Sequence, residues 1–245
     1  MDYLNYAKKV QKKPEGFIQL TKDDFSSGDL NQQKNTGEVM SFFSTPLEIF
    51  QCPFDYSREL EWIKKQPSYR REKRHGETGA TLNRQSEDTF ILDKPEMSRV
   101  RQFIESKLKE FVFQIMGLDD EVTITQSWSN RNGKGESHHE HKHPNSIISG
   151  VWYPQIHEKL PPIKFVNDRQ RDISLSIKRF NNFNSGTYML PINKGELILF
   201  PSNTQHSVPP NQSDEERISL SFNTWVKGSL GDKRSLTYLP LDRCV

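Results

Sequence analysis

Two cysteines in 245 residues, Cys52 and Cys244, allow at most one bridge. A disulfide-stapled scaffold is therefore excluded, and a reducing compartment is expected. Long apolar runs are also missing. The longest, Leu197 to Phe200, falls far short of the ~18 residues of a membrane span or the ~7 of a signal-peptide core. A soluble, cytoplasmic protein with no membrane partner is expected. Charge of one sign is lacking too, since 34 Lys+Arg against 32 Asp+Glu leave a net charge of +2. Despite a sequence pI of 8.4, that balance does not favour nucleic acid as a partner. Hydrophobic residues reach only 33% and mean hydropathy is −0.81. Against this, 15 Phe, 4 Trp and 7 Tyr supply large buried area per residue, so a folded core is expected under a very polar surface.

Residues 1–40 read as a polar N-terminal arm, with Lys8, Lys9, Lys12 and Lys13 followed by SSGDLNQQKNTGE, which has little to bury. Residues 41–245 read as a single domain, and no internal repeat is visible. FFSTPLEIF is strand-like, and Asp55 is placed to cap a short helix through Leu60, Trp62 and Ile63. The basic stretch 64–74 and the following GETGATLNRQ carry no apolar period. They read as a solvated loop, with docking of an acidic peptide or nucleic-acid backbone as the lesser alternative. After Pro95, Val100, Phe103, Ile104, Leu108, Phe111, Val112 and Ile115 recur at three and four until Gly117, which predicts an amphipathic helix.

Beyond Gly117 the period changes to two, in VTITQSW, SIISGVWY, PIKFV, ISLSI, TYML, ELILF and ISLSFNTWV. No crossover helix separates these runs. The fold class is therefore mainly β with N-terminal helices, antiparallel sheets closing as a sandwich or jelly roll. Gly133-x-Gly135 reads as a turn, and Leu230 to Val245 as an irregular covering segment. Asn211-Gln-Ser213 spells a glycosylation acceptor but no secretion signal accompanies it.

Four of seven histidines, His138, His139, His141 and His143, lie within ESHHEHKHPNS. Residues i and i+2 of a strand share a face about 6.5 Å apart, close enough for two ring nitrogens to meet on one metal ion. His141 with His143 satisfies this spacing, and so does His138 with Glu140. His206, directly after the ELILF strand, is the best third ligand. Further on, Arg217-x-Ser219 places a guanidinium fork and a hydroxyl on one strand face, a receptor for a small dicarboxylate.

In QSWSNRNGKGESHHEHKHPNSIISGVWYP and GELILFPSNTQHSVPPNQSDEERISLSFNTW the sequence resembles the iron(II)/2-oxoglutarate-dependent oxygenases. More narrowly, it resembles a 2OG-Fe(II) oxygenase family of bacteria and their phages, distantly related to prolyl hydroxylases. The resemblance implies a double-stranded β-helix, a cupin-like jelly roll, that uses iron(II), 2-oxoglutarate and dioxygen to hydroxylate an unidentified protein side chain or small molecule. It implies metal ligation by His141 and His206, and a cosubstrate carboxylate on Arg217 and Ser219. The superfamily's usual triad is His-x-Asp/Glu with a distal His. In the HKHP register His143 stands where that carboxylate is expected, while His138-x-Glu140 spells the triad three residues early. The favoured metal set is His141, His143 and His206; the alternatives are His138, Glu140 and His206, or two His completed by water. Trp128, Asn130, Tyr153 and Asn223 are candidates for lining the pocket, with Asn130 and Tyr153 on the cosubstrate. No catalytic side chain beyond the metal centre is expected. The rival readings are a cupin-like metalloenzyme without 2-oxoglutarate and a non-catalytic jelly-roll binding module.

Overall fold

The period-two runs pair into two antiparallel sheets, as alternation of buried and outward side chains demands. The computed structural model describes residues 44–72, 81–167, 176–177 and 184–241. The N-terminal arm, Cys244 and most of ISLSI lie outside the described residues. The larger sheet has the order β1 (Glu48–Gln51), β10 (Glu196–Pro201), β7 (Ile148–Gln155), β12 (Arg217–Val226), β5 (Val122–Asn132), β4 (Arg84–Ser86) and β2 (Ser68–Arg70). The smaller has the order β3 (Thr81–Leu82), β6 (Glu136–His141), β11 (His206–Val208), β8 (Ile163–Val166) and β9 (Thr187–Leu190). All these pairs are antiparallel except β3 with β6. The result is the jelly roll expected from the sequence.

Alternation along β7 and β10 divides the core in two. Trp152, Leu197 and Leu199 face the helices, where they meet Val100, Ile104 and Leu108. Val151, Tyr153, Ile198 and Phe200 face the smaller sheet and pack with Ile163, Phe165 and Leu190. Both faces of β7 are therefore covered, which is why its run is almost wholly buried. Gly150 is required there, because a Cβ at that position would sit 2.1 Å from the Phe222 ring. Gly150→Ala is expected to cost about 1–3 kcal/mol by overpacking, read as a lower urea midpoint of the metal-free protein.

The two helices form where local signals place them. In α1 (Ser57–Lys64) the N-cap is Tyr56 and not Asp55 as expected; the Asp55 carboxylate, one residue earlier, still accepts from the Ser57 backbone N–H at 3.0 Å and its hydroxyl at 2.6 Å. In α2 (Ser98–Glu110) the expected apolar face is buried, from Val100 through Leu108 and on to Phe111 and Val112. Ile115 departs from expectation and is 49% exposed. A π turn spans Phe111–Ile115; its wider winding takes the last side chains off the α-helical period. Gly117, at φ +64°, ends the segment.

Two further expectations are corrected. The basic stretch is not simply a solvated loop: residues 68–70 form β2, which pairs with β4 and extends the larger sheet. Arg70 is held by the buried Glu136 at 2.7 Å. The described part of the tail, through residue 241, does not cover the core. It forms an exposed ribbon of β13 (Ser229–Leu230) and β14 (Leu239–Pro240), whose turn is tied by the Asp232 carboxylate accepting from the Arg234 and Ser235 N–H groups. Gly135, at φ +78°, makes the expected turn between β5 and β6. Asn211 is fully buried and donates to the Asn132 and Glu215 carbonyls, so it is no surface acceptor for a glycan. Among the described residues no helix is long and apolar enough to cross a membrane.

Candidate metal centre and cosubstrate pocket

The histidine cluster is organised by a bulge that sequence spacing alone does not reveal. In the antiparallel register of β6 and β11, His206 lies opposite His141 and Val208 opposite His138. Three steps on β6 thus match two on β11, the signature of an extra residue in one strand. That residue returns His138 to the face of His141, and their rings stack at 4.5 Å with an interplanar angle of 17°. Glu140 is turned out of the site to Gln205, and to Lys164 at 3.6 Å. Strict alternation after His141 does not apply either, because β6 ends there. His143 instead reaches the site from the turn beyond the strand, where its N–H donates to the Ser202 carbonyl at 3.0 Å.

His141, His143 and His206 offer ring nitrogens that all lie within 4.8 Å of one another. The Nε2 atoms of His143 and His206 are 3.3 Å apart. Two of the tautomers follow from chemistry, because a backbone carbonyl can only accept. His141 Nδ1 donates to the His139 carbonyl at 2.8 Å, and His206 Nδ1 donates to the Thr204 carbonyl at 2.9 Å. Both Nε2 atoms are left with free lone pairs, the orientation seen when a histidine is fixed for metal binding.

Burial keeps these rings neutral. It pushes His141 down to about 2 and His143 down to about 3, with the neighbouring His206 adding to the effect in both. His206 is lowered as well, again chiefly by burial. In the unfolded chain the same imidazoles take protons near pH 6.5. The unfolded state therefore binds more protons below that pH, and the metal-free fold should lose stability as pH falls from about 6.5 toward 3. Thermal melts of apoprotein across that range check this, and a flat profile would contradict it.

The pocket that the histidines help to line is narrow, with a cavity volume of about 20 Å³. Its walls follow from the β5–β12–β7 register. Arg217 stands opposite Asn132, Ser219 opposite Asn130 and Ser221 opposite Trp128, so all six side chains share the inward face. Arg217 is 2% exposed. One of its terminal nitrogens donates to Ser219 Oγ at 3.2 Å and to Asn132 Oδ1 at 3.4 Å, and its Cζ lies 5.1 Å from the Tyr153 ring centroid. Among the described residues its Nε has no hydrogen-bond partner, and neither does the Tyr153 hydroxyl. Among the described residues no carboxylate forms a salt bridge with Arg217, and none lines the pocket. Burial raises the Tyr153 phenol to about 12, although the charge of Arg217 opposes this. The phenol is thus a donor at neutral pH.

Of the other expected wall residues, Trp128 lines the pocket with its ring 5.9 Å from that of His143. Asn130 also lines it, but its amide is already engaged, donating to Ser221 Oγ at 3.0 Å and accepting from Asn83 Nδ2 at 2.9 Å. Asn223 is not part of the wall; it accepts from Ser149 Oγ at 3.3 Å. Sequence reading missed Asn132 and Ser221, whose inward position depends on cross-strand register.

Comparisons with known proteins agree with this architecture. Residues 126–223 match the family model described as "Putative 2OG-Fe(II) oxygenase". No curated protein matches the sequence. Among solved structures, the non-heme alpha ketoglutarate dependent carbocyclase SnoK of nogalamycin biosynthesis is 12% identical, with TM-score 0.53 over 80% of this chain and 87% of that one. The epimerase SnoN of the same biosynthesis, also 12% identical, superposes with TM-score 0.51 over 73% of this chain and 77% of that one. HygX from Streptomyces hygroscopicus, with nickel, 2-oxoglutarate and hygromycin B bound, is 9% identical, with TM-score 0.51 over 74% of this chain and 82% of that one. At these identities the likeness is one of fold. Residues 126–223, the span similar to the 2OG-Fe(II) oxygenase family model, include His141, His143, His206 and Arg217.

Proposed function

We propose that the protein is a hydroxylase dependent on iron(II) and 2-oxoglutarate, with the metal held by His141, His143 and His206 and the cosubstrate by Arg217 and Ser219. One observation carries the reading. Three neutral imidazoles and a buried guanidinium that has no carboxylate partner among the described residues line the same pocket. An unpaired buried charge is expensive, and a dicarboxylate reaching from the metal to Arg217 would pair it. A cupin-like enzyme without 2-oxoglutarate leaves that charge uncompensated, as does a non-catalytic jelly roll.

When bound, iron(II) and 2-oxoglutarate supply the activation of dioxygen, with 2-oxoglutarate leaving as succinate and CO2. The chain's own residues supply geometry. His141 and His206, oriented by the carbonyls of His139 and Thr204, present Nε2 to the metal. Arg217 draws in the dianion and fixes its distal carboxylate, with the Ser219 hydroxyl adding a hydrogen bond. The Tyr153 hydroxyl, buried and without a partner among the described residues, offers a further donor to the same carboxylate. Trp128 walls the metal side and limits water.

Two experiments test this. Iron(II) and 2-oxoglutarate should each raise the melting temperature, as ligands of the native state must, and succinate should form once oxygen is admitted. Absence of both effects would remove the reading. Glu140→Gln should leave iron affinity unchanged in equilibrium titrations, since Glu140 points away to Lys164. A tenfold or greater loss, about 1.4 kcal/mol, would restore the His138, Glu140 and His206 set.

A further inference from the structure

We propose that His138, His139 and His141 form a second, outer metal-binding set, through which a divalent transition-metal ion passes to the inner set by ligand exchange at His141. The proposal rests on the inner set of His141, His143 and His206 described above. Neither His138 nor His139 is used by that set, yet both are gathered with His141. The ligating atoms of the three lie within 4.8 Å of one another. Their rings are 5.3 Å apart for His138 and His139, 4.5 Å for His138 and His141, and 4.9 Å for His139 and His141. Metal–nitrogen bonds of ~2.0–2.1 Å put tetrahedral ligand atoms about 3.4 Å apart, a closure that small side-chain rotations provide. The β6 bulge makes the cluster possible, because without it His138 and His141 face opposite sides.

His141 belongs to both sets, and this fixes how they are related. Its Nδ1 proton is committed to the His139 carbonyl, so only Nε2 can bind an ion, and it binds one at a time. Occupancy of the two sets is therefore exclusive. Every member of the outer set is half-buried, and the inner set differs from it in holding His206, 5% exposed, so the outer set is the nearer to solvent at that one ligand. Arg71 donates to His138 Nε2 at 2.9 Å. This guanidinium competes with an ion for the same lone pair and repels its charge, which weakens the outer set relative to the inner. Imidazole ligands suit iron(II), cobalt(II) and zinc(II) and disfavour magnesium and calcium, which take oxygen.

Cobalt(II) is the probe, followed by its visible absorption in the full chain. His206→Ala breaks the inner set and should still bind one cobalt ion, more weakly than wild type. Adding His139→Ala should weaken this residual binding at least about tenfold, the lower end of what losing even an indirect partner of a metal ligand costs. His139→Gln, which keeps a polar side chain, should behave as His139→Ala does if the fold is intact by circular dichroism. With the inner set intact, His139→Ala should slow cobalt loading in stopped flow without changing the final affinity. Residual binding in His206→Ala that is indifferent to His139, or a loading rate unchanged by its loss, would overturn the proposal. Wild-type affinity in His206→Ala would instead count against the inner set, an outcome separable because it does not involve His139.

Discussion

Arg217→Ala should abolish measurable 2-oxoglutarate binding while leaving the metal in place. Arg217 is buried, donates to Ser219 and Asn132 and lies over the Tyr153 ring, and no salt bridge to it is found among the described residues. A cosubstrate carboxylate docking there makes a charge-assisted, desolvated pair, and truncating one partner of such a pair costs about 2–5 kcal/mol. The dissociation constant should rise at least about 30-fold, since each 1.4 kcal/mol is a factor of ten. Arg217→Lys should not rescue it, because an ammonium lacks the planar fork and reaches a different point. Anaerobic calorimetric titration of 2-oxoglutarate into metal-loaded protein reads the effect. Cobalt titration of the same variants should give wild-type affinity, which separates loss of the carboxylate site from general damage. Unaltered 2-oxoglutarate affinity in Arg217→Ala would place the cosubstrate elsewhere.

The second large effect falls on the metal. His206→Ala removes the most enclosed of the three imidazoles, the one packed against Phe200 at 5.1 Å and oriented by the Thr204 carbonyl. Losing a hydrogen-bonded partner of a ligand already costs about 10–100-fold in metal affinity. Losing the ligand itself should exceed about 100-fold for iron(II) and remove succinate formation with it. His143→Ala should act in the same direction through the 3.3 Å approach of His143 Nε2 to His206 Nε2. Unchanged iron binding in either variant would exclude that residue from the set.

These expectations trace back to features of different legibility. The apolar face of α2 and the shared face of Arg217 and Ser219 depend only on period, which is local, and both are readable from spacing. The jelly roll follows from period-two runs without crossover helices. The π turn that exposes Ile115 and the bulge that turns His138 inward and Glu140 outward depend on how neighbouring elements pair, and nothing within those short segments encodes them. The same holds for Ser221, which lines the pocket, and for Asn132, which accepts from Arg217, both placed by the register of β5 with β12. Strands β2 and β4 escaped notice because their residues are polar and extend the sheet through backbone hydrogen bonds. The histidines were recognisable as a cluster, but the division between ring nitrogens facing the pocket and a carboxylate facing solvent required the fold.

One titration tests the central claim most directly. Apoprotein loaded anaerobically with iron(II) is titrated with 2-oxoglutarate, the visible metal-to-ligand charge-transfer absorption is followed, and oxygen is then admitted and succinate measured. A saturable band that weakens with Arg217→Ala, disappears with His206→Ala and is followed by succinate in the wild type is the predicted result. Iron bound with neither band nor succinate would contradict it.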